Sequence, residues 1–250
     1  MSGYAVEATY GSPDVGLLTL TEMAGRAAQI CAVTSIPLIA DADTGYGNVV
    51  NVVRTVKEFE RAGVAAIQLE DQSLPKKCGS IAGKSLVSVQ EMTGKIKAAV
   101  DARQDRDFLV IARTDVAALE GMNAVAERLA AYREAGADLL MALGPYDVDQ
   151  ARQFIGNAPG PVAYLNSESF TMPMIPAKEL ESLGVKLLIF PLALTLAAAH
   201  AQQRVLDVIG ASGTTREYAP DAMLPWKDCN ELLGLGEIQR IEKTYGPAAS

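Results

Sequence analysis

Short apolar runs without polar alternation recur along the chain, at Pro37–Asp43, Ala65–Asp71, Phe108–Thr114, Ala137–Leu143, Val162–Asn166 and Val185–Pro191. Between them lie longer stretches whose apolar residues return every three or four positions, the helical period. Thr21 is expected to cap a helix through Ala32, with Glu22 favourable in its first turn. Further helices are expected over Asn51–Ala62, Ser88–Asp101, Met122–Ala135, Asp147–Ile155, Ala177–Leu183 and Leu194–Ile209. A glycine closes the helix just before the next run at Gly63, Gly136 and Gly184. Repeated βα units with buried strands predict a parallel sheet covered by helices. Residues 1–16, punctuated by Gly3, Gly11, Pro13 and Gly16, read as an irregular loop. The tail, Ala211–Ser250, carries two helical pieces, Asp228–Leu233 and Glu237–Thr244, and has no strand partner.

Six runs would suit an open doubly wound sheet by number, but the placement of polar residues argues otherwise. Asp41 and Asp43, two apart on one strand, share a face at its C-terminal end. Glu70 ends the next strand, Arg113 the one after, and Asn166 a later one. Polar groups recurring at successive strand ends match a (β/α)8 TIM-type barrel with its site on that face, whereas an open sheet gathers ligand groups at one switch point. On this reading the first strand and most of the second are absent. Residues 1–210 form the barrel domain and residues 211–250 a C-terminal helical extension of it.

Composition narrows the chemistry. With 250 residues, 49% of them hydrophobic, the chain has room for one sizeable core. The net charge is −8 and basic residues gather only at Lys76–Lys77, so nucleic acid is not an expected partner. An anionic ligand must then be drawn in by a local cation or a metal, against the overall field. Three cysteines without paired-ligand spacing point to reduced thiols and a cytoplasmic setting, and no apolar run is long enough for a membrane. The single histidine, His200, reads as a residue of an Ala-rich helix and rules out a multi-histidine metal site within one chain. The donors that remain are the hard carboxylates Asp41, Asp43 and Glu70, which suit Mg2+ or Mn2+. Downstream of Glu70, the cations Lys76 and Lys77 adjoin Cys78 ahead of a flexible Gly79. They are expected to depress the thiol's pKa and make it a proton donor or base. Arg113, a strand-end cation, is expected to grip a carboxylate in two-pronged fashion, with Asp115 or Glu70 as the competing internal partner.

Several stretches together resemble the isocitrate lyase / phosphoenolpyruvate mutase superfamily: Ser2-Gly3-Tyr4, Gly11-Ser-Pro13-Asp14, DADTGYGN at 41–48, EDQ at 70–72, KKCG at 76–79 and ARTD at 112–115. The resemblance is clearest from Ser2 to Gly136. KKCG looks like the C–C lyase branch (methylisocitrate lyase, dimethylmalate lyase, oxaloacetate hydrolase), because the phosphonate-handling mutases carry Asn-Ser in place of Cys-Gly. Carried over by position, the resemblance implies Asp41 and Asp43 as metal-side ligands, with Glu70 and Asp14 holding metal-bound waters. It implies that Ser2, Gly3 and Tyr4 bind a substrate carboxylate through backbone groups, helped by Arg113 and Asn166. Cys78 would be the acid/base on a gating loop, with Lys76 in a catalytic role and Gly79 against the substrate.

The implied activity is Mg2+-dependent cleavage, by lyase or hydrolase chemistry, of a small 2-hydroxy or 2-oxo dicarboxylate. The implied assembly is a homotetramer whose C-terminal helices exchange between subunits. Two other readings stand beside it: a phosphonopyruvate hydrolase or phosphonomutase, which Cys78 disfavours, and a non-catalytic, truncated paralogue. Three departures matter. Ser80 replaces the histidine usual after KKCG, Leu143 stands where a strand usually ends in Glu, and FPLALTLAAA lacks an Arg often found after the last strand. Each removes a polar contact that a tricarboxylate would use, so a smaller substrate, or a weakened or lost activity, is expected. The family also begins with a helix, a first strand and most of a second ahead of Ser2, so Met1 is expected to be a shortened or misplaced start.

Overall fold

The structure is a computed structural model that describes residues 1–169 and 171–247. Its strands are β1 (Ile39–Asp41), β2 (Ala66–Glu70), β3 (Leu109–Thr114), β4 (Leu139–Ala142), β5 (Ala163–Leu165) and β6 (Leu187–Ile189). The first four pair side by side in chain order, β5 pairs with β6, and every pairing is parallel. A parallel bridge between Leu140 and Val162 links β4 to the residues leading into β5. The register sets Asp41 opposite Gln68, Glu70 opposite Arg113, and Thr114 opposite Ala142, so the C-terminal ends of the strands come together along one edge. All five residues of β2 are buried, Gln68 and Glu70 included, as expected of a parallel strand covered on both faces.

The helices are α1 (Gly3–Thr9), α2 (Leu20–Cys31), α3 (Val49–Arg61), α4 (Val89–Ala102), α5 (Ala117–Glu134), α6 (Val148–Asn157), α7 (Ala177–Ser182), α8 (Ala193–Ser212), α9 (Ala219–Ala222), α10 (Trp226–Leu232) and α11 (Leu235–Tyr245). The chain falls into two compact units, Met1–Thr195 and Leu196–Ser250. The first holds the sheet and its core. Val52, Val56 and Phe59 of α3 and Met92, Ile96 and Ala99 of α4 are fully buried in one cluster with Ile67, Val110 and Ile111 of the strands. Each large side chain of this kind contributes about 1.5–3 kcal/mol through burial. In the second unit Trp226, Leu232 and Leu233 are 78%, 80% and 76% exposed.

Several boundaries differ from the sequence expectation, each for a local reason. Residues 1–16 are not irregular throughout, because Gly3–Thr9 forms α1, capped by the Ser2 side chain. That helix buries a carboxylate, Glu7, whose Oε1 accepts from the backbone of Leu17 and Leu18, and so lacks an apolar period to read. The cap of α2 is Thr19 rather than Thr21, since Glu22 lies three residues on and its side chain returns to the Thr19 backbone. Asn48 caps α3, which therefore starts ahead of Asn51. Helix α5 starts at Ala117 and breaks at Gly121 (φ 83°, ψ −177°); the expected Met122 helix is the part beyond that break.

A larger correction concerns Asp41 and Asp43. β1 ends at Asp41, and Asp43 has a left-handed φ of 47°, so the two carboxylates do not share a strand face. A tight turn relates them instead. In the same turn Gly45 has φ 83°, and a Cβ there would lie 2.5 Å from Val52 Cγ2. Gly45→Ala is therefore expected to lower stability by about 1–3 kcal/mol, read as a lower urea midpoint at unchanged m-value. An unmoved midpoint would show that the turn relaxes freely.

Candidate active site

The strand ends border a cavity of about 200 Å3. Asp14, Asp41, Gln68, Cys78, Ser80 and Arg113 are among its polar lining, with Ser2, Tyr4 and Ser167, and Leu143, Leu165, Ile189 and Leu192 contribute to its apolar side. Asp41 is fixed by backbone donors: Oδ2 accepts from Gly3 N at 3.2 Å and Oδ1 from Asp43 N at 3.1 Å. The Gly3 N–H is thus directed at Asp41, and a Cβ on Gly3 would come within 2.9 Å of that carboxylate.

Behind this lining lies a buried charge cluster. The Lys76 ammonium bonds to Asp14 and stands 2.6 Å from Asp43 Oδ1. Burial opposes the charge on Lys76, but Asp41, Asp43, Glu70 and Asp14 outweigh it and hold the ammonium above its ordinary value. Burial, reinforced by Asp41 and opposed by Lys76, pushes the Asp43 carboxyl up to about 7. Asp43 Oδ1 and Glu70 Oε1 are both buried without a well-directed hydrogen bond. Buried oxygens in that condition are costly unless something else comes to them.

Glu70 and Asp71, adjacent in sequence, do not act as a pair. Glu70 Oε2 faces Arg113 Nη1 at 3.1 Å. Asp71 belongs to a separate buried hub, accepting from Thr114 Oγ1 at 2.6 Å, Tyr132 OH at 2.7 Å, Arg128 Nη1 at 3.0 Å and Asp115 N at 3.0 Å. Arg113 is held internally by both of the competitors foreseen for it. Its Nε and Nη2 donate to the two oxygens of Asp115, at 2.7 and 2.9 Å. A guanidinium carries five N–H groups, so it retains donors beyond these contacts while lining the cavity.

The expectation of a depressed Cys78 pKa is overturned. Burial is the largest influence and pushes the thiol up, with Asp14 adding to it; the backbone of Ser80, then Arg113 and Lys76, pull the other way and lose. Lys76 is already neutralised by carboxylates, and Lys77 turns its ammonium to Gly83 O. The thiol is kept as S–H, the form of a proton donor.

Of the residues expected at a site, Ser2, Tyr4, Asp14, Asp41, Cys78, Gly79 and Arg113 line the cavity. Asp43, Glu70 and Lys76 are buried behind the lining, with Lys76 directly against Asp43. Gly3 is not in the lining, because its N–H is directed at Asp41 rather than at a substrate carboxylate. Asn166 is engaged elsewhere: its amide donates to Ile175 O at 2.8 Å and accepts from Ile175 N at 3.0 Å, while the adjacent Ser167 lines the cavity. Sequence reading missed Ser167, Gln72 and Lys84. For Gln72 a signal existed, since a polar residue directly after two strand-end acids continues the same edge.

Among the described residues no three Asp, Glu, His or Cys side chains close into a metal cage. Mg2+ does not require one, because it keeps several waters and takes one or two carboxylates. Hard oxygen donors, with Glu70 Oε1 buried and unpartnered and Asp43 Oδ1 met only by the Lys76 ammonium, fit a small hydrated divalent cation.

Acids, an arginine and a thiol gathered at the C-terminal edge of a parallel βα frame define an α/β protein of the barrel-like class, with its cavity at the strand ends. Comparison with known proteins gives the family. A family profile described as phosphoenolpyruvate phosphomutase matches residues 1–209. The chain is 44% identical to a 2,3-dimethylmalate lyase of Eubacterium barkeri over 246 residues, covering 98% of this chain and 85% of that protein. It is 39% identical to a 2-methylisocitrate lyase of Aeropyrum pernix over 240 residues, covering 96% and 77%. A solved oxaloacetate acetylhydrolase in complex with 3,3-difluorooxalacetate superposes with TM-score 0.92 at 34% identity, over 100% of this chain and 85% of that one. Phosphonopyruvate hydrolase in complex with oxalate and Mg2+ gives TM-score 0.88 at 34% identity, over 98% and 85%. The chain belongs to the phosphoenolpyruvate phosphomutase family, within the PEP mutase/isocitrate lyase superfamily.

Proposed function

We propose that the chain is a Mg2+-dependent C–C lyase or hydrolase acting on a small 2-hydroxy or 2-oxo dicarboxylate of the dimethylmalate, methylisocitrate or oxaloacetate kind. The observation that carries this reading is the Cys78 thiol, which burial pushes toward its neutral form, lying in the same small cavity as the backbone-pinned Asp41 and Arg113. The similarity to 2,3-dimethylmalate lyase and 2-methylisocitrate lyase supports it. Within that class the apolar side, with Leu143 only 7% exposed, suits an aliphatic substituent better than a third carboxylate. That favours dimethylmalate over methylisocitrate.

Asp41 and Asp43 would hold Mg2+, or Mn2+ in its place, with Glu70 and Asp14 acting through water. When bound, the ion would supply positive charge beside the oxygen that turns negative as the C–C bond breaks. The remaining work belongs to side chains and backbone of this chain. Arg113 and the backbone at Ser2 and Tyr4 orient the substrate carboxylate. Gly79, with no side chain, lets the loop backbone close over it, and Cys78 passes its proton to the carbon that loses its partner. The proton released as a 2-hydroxyl becomes a carbonyl goes to solvent, from which the thiolate is reprotonated. Lys76 supplies the buried positive charge that opposes the effect of burial on Asp43 and Glu70.

We also read the six described strands as part of a (β/α)8 ring. The exposed Trp226, Leu232 and Leu233 are read as a surface for a second copy in a homo-oligomer, a tetramer by family resemblance. Three free cysteines support a cytoplasmic setting. No helix among the described residues is long and apolar enough to cross a membrane.

The test is a turnover screen of the purified protein with Mg2+ on 2,3-dimethylmalate, 2-methylisocitrate, oxaloacetate and phosphonopyruvate. Cleavage of 2,3-dimethylmalate, abolished by chelator and restored by Mg2+, is the expected result. Turnover of phosphonopyruvate alone would favour the phosphonate reading. A folded protein that binds metal and turns over none of the four would be a non-catalytic paralogue.

A further inference from the structure

We propose that Lys84 is a positioning residue: through the buried carboxylate of Asp115 it couples the loop bearing Cys78 to the orientation of Arg113. The loop over 73–85 is closed at its base by the antiparallel bridge between Gln72 and Leu86 and by Ser73 N donating to Ser85 O at 2.8 Å. Inside it, the Lys84 side chain is only 5% exposed. Its ammonium donates to the carbonyl of Gly79 and stands 3.3 Å from Asp115 Oδ2. Asp115, fully buried, is the same carboxylate that holds Arg113 by two hydrogen bonds.

Gln72 ties the other side of the loop to the same group. Its Nε2 donates to Asp115 Oδ2 at 2.9 Å and to Lys77 O at 2.8 Å, while its Oε1 accepts from Lys77 N at 2.9 Å. The backbone on both sides of Cys78, at Lys77 and at Gly79, is therefore anchored to one carboxylate. The fit above it is tight. A Cβ on Gly79 would fall 2.2 Å from Leu143 Cδ2 and 2.5 Å from Arg113 Nη2, so the loop backbone lies directly on the guanidinium.

Burying an ammonium is unfavourable unless a carboxylate and further acceptors receive it. Lys84 has both only while Gly79 is down and Asp115 is in its bidentate grip on Arg113. If Gly79 lifts, the ammonium loses its carbonyl acceptor; if Arg113 turns away, Asp115 loses the two bonds that orient it toward Lys84 and keeps only Gln72 beside it. The loop position and the arginine orientation thus stabilise one another, and Lys84 is the link between them. Nothing in this arrangement requires Lys84 to touch substrate. It acts on the position of Cys78 and Arg113, and the kinetic part of the proposal rests on the lyase reading above.

The test uses the full chain with Lys84→Met and Lys84→Gln. Two readouts are compared: kcat and KM on 2,3-dimethylmalate, and the rate of iodoacetamide alkylation of each cysteine, resolved by peptide mass spectrometry. Lys84→Met is expected to lower kcat by about 100-fold with KM little changed, as for a reacting group displaced without loss of binding. It is expected to speed alkylation of Cys78 by about tenfold, the equivalent of one lost hydrogen bond, and to leave Cys31 and Cys229 unchanged. Lys84→Gln, which keeps a donor for Gly79 O but no charge for Asp115, should fall between wild type and Lys84→Met, and carries the comparison alone if the methionine variant does not fold. Cys78 alkylation equal to wild type in a folded variant overturns the coupling, and so does an equal rise at all three cysteines. Should wild type turn over no substrate, the lyase reading fails by itself, and the alkylation rates still decide the role of Lys84.

Discussion

Replacing Cys78 by alanine is expected to lower kcat on the dicarboxylate substrate by about 1,000-fold, the loss typical of a removed general acid. Melting temperature should stay near that of wild type, because Cys78 lies at a cavity and is only partly buried. The pH dependence follows from the raised thiol pKa. With the protonated thiol as the proposed active form, activity needing it is expected to persist through neutral pH and to be lost as pH rises through a value above the ordinary 9.0. Burial is the main cause of that displacement. An alkaline limb of the kcat profile with its midpoint below 9.0 would contradict the assignment, and so would a Cys78→Ala variant as active as wild type.

Removing Asp71 should unsettle the fold rather than the chemistry. Its carboxylate is fully buried and accepts from Thr114, Tyr132, Arg128 and the Asp115 backbone. Asp71→Ala leaves Arg128, 8% exposed, beside a void with no countercharge at that position. Breaking a buried ion pair from one side costs about 3–5 kcal/mol, which the urea midpoint would register directly. A loss near 1 kcal/mol, the net worth of one ordinary hydrogen bond, would mean that water replaces the carboxylate without difficulty. Because Asp71 supports Asp115 through its backbone, a weaker loop clasp is expected as a secondary effect.

The alternation of strands and helices was legible because each element carries its own signal. Glycines after helices and the buried run of β2 fall where the pattern puts them. The short α1 was not legible, because it is shaped by contacts of Glu7 with residues ten and eleven positions away. Asp41, Cys78 and Arg113 were identifiable as residues of one site by their type and their place at strand ends and in the following loop. Their states were not. A thiol flanked by two lysines reads as activated, yet both ammonium groups point elsewhere and burial prevails. Asn166, a polar strand end like the others, is engaged by Ile175 nine residues on.

By itself the sequence determined the parallel βα frame and the set of residues available for carboxylate, cation and thiol chemistry, since periodicity, capping and residue type are local properties, and its motifs carried the resemblance to the family. Only the tertiary structure decided which acids face the cavity, that Glu70 serves Arg113 while Asp71 serves a separate hub, and that Cys78 stays protonated. It also decided that Lys84, Asp115 and Gln72 tie the loop to the arginine. Those outcomes depend on desolvation and on partners distant in the chain, as Gln72 and Asp115 are. No local pattern encodes them.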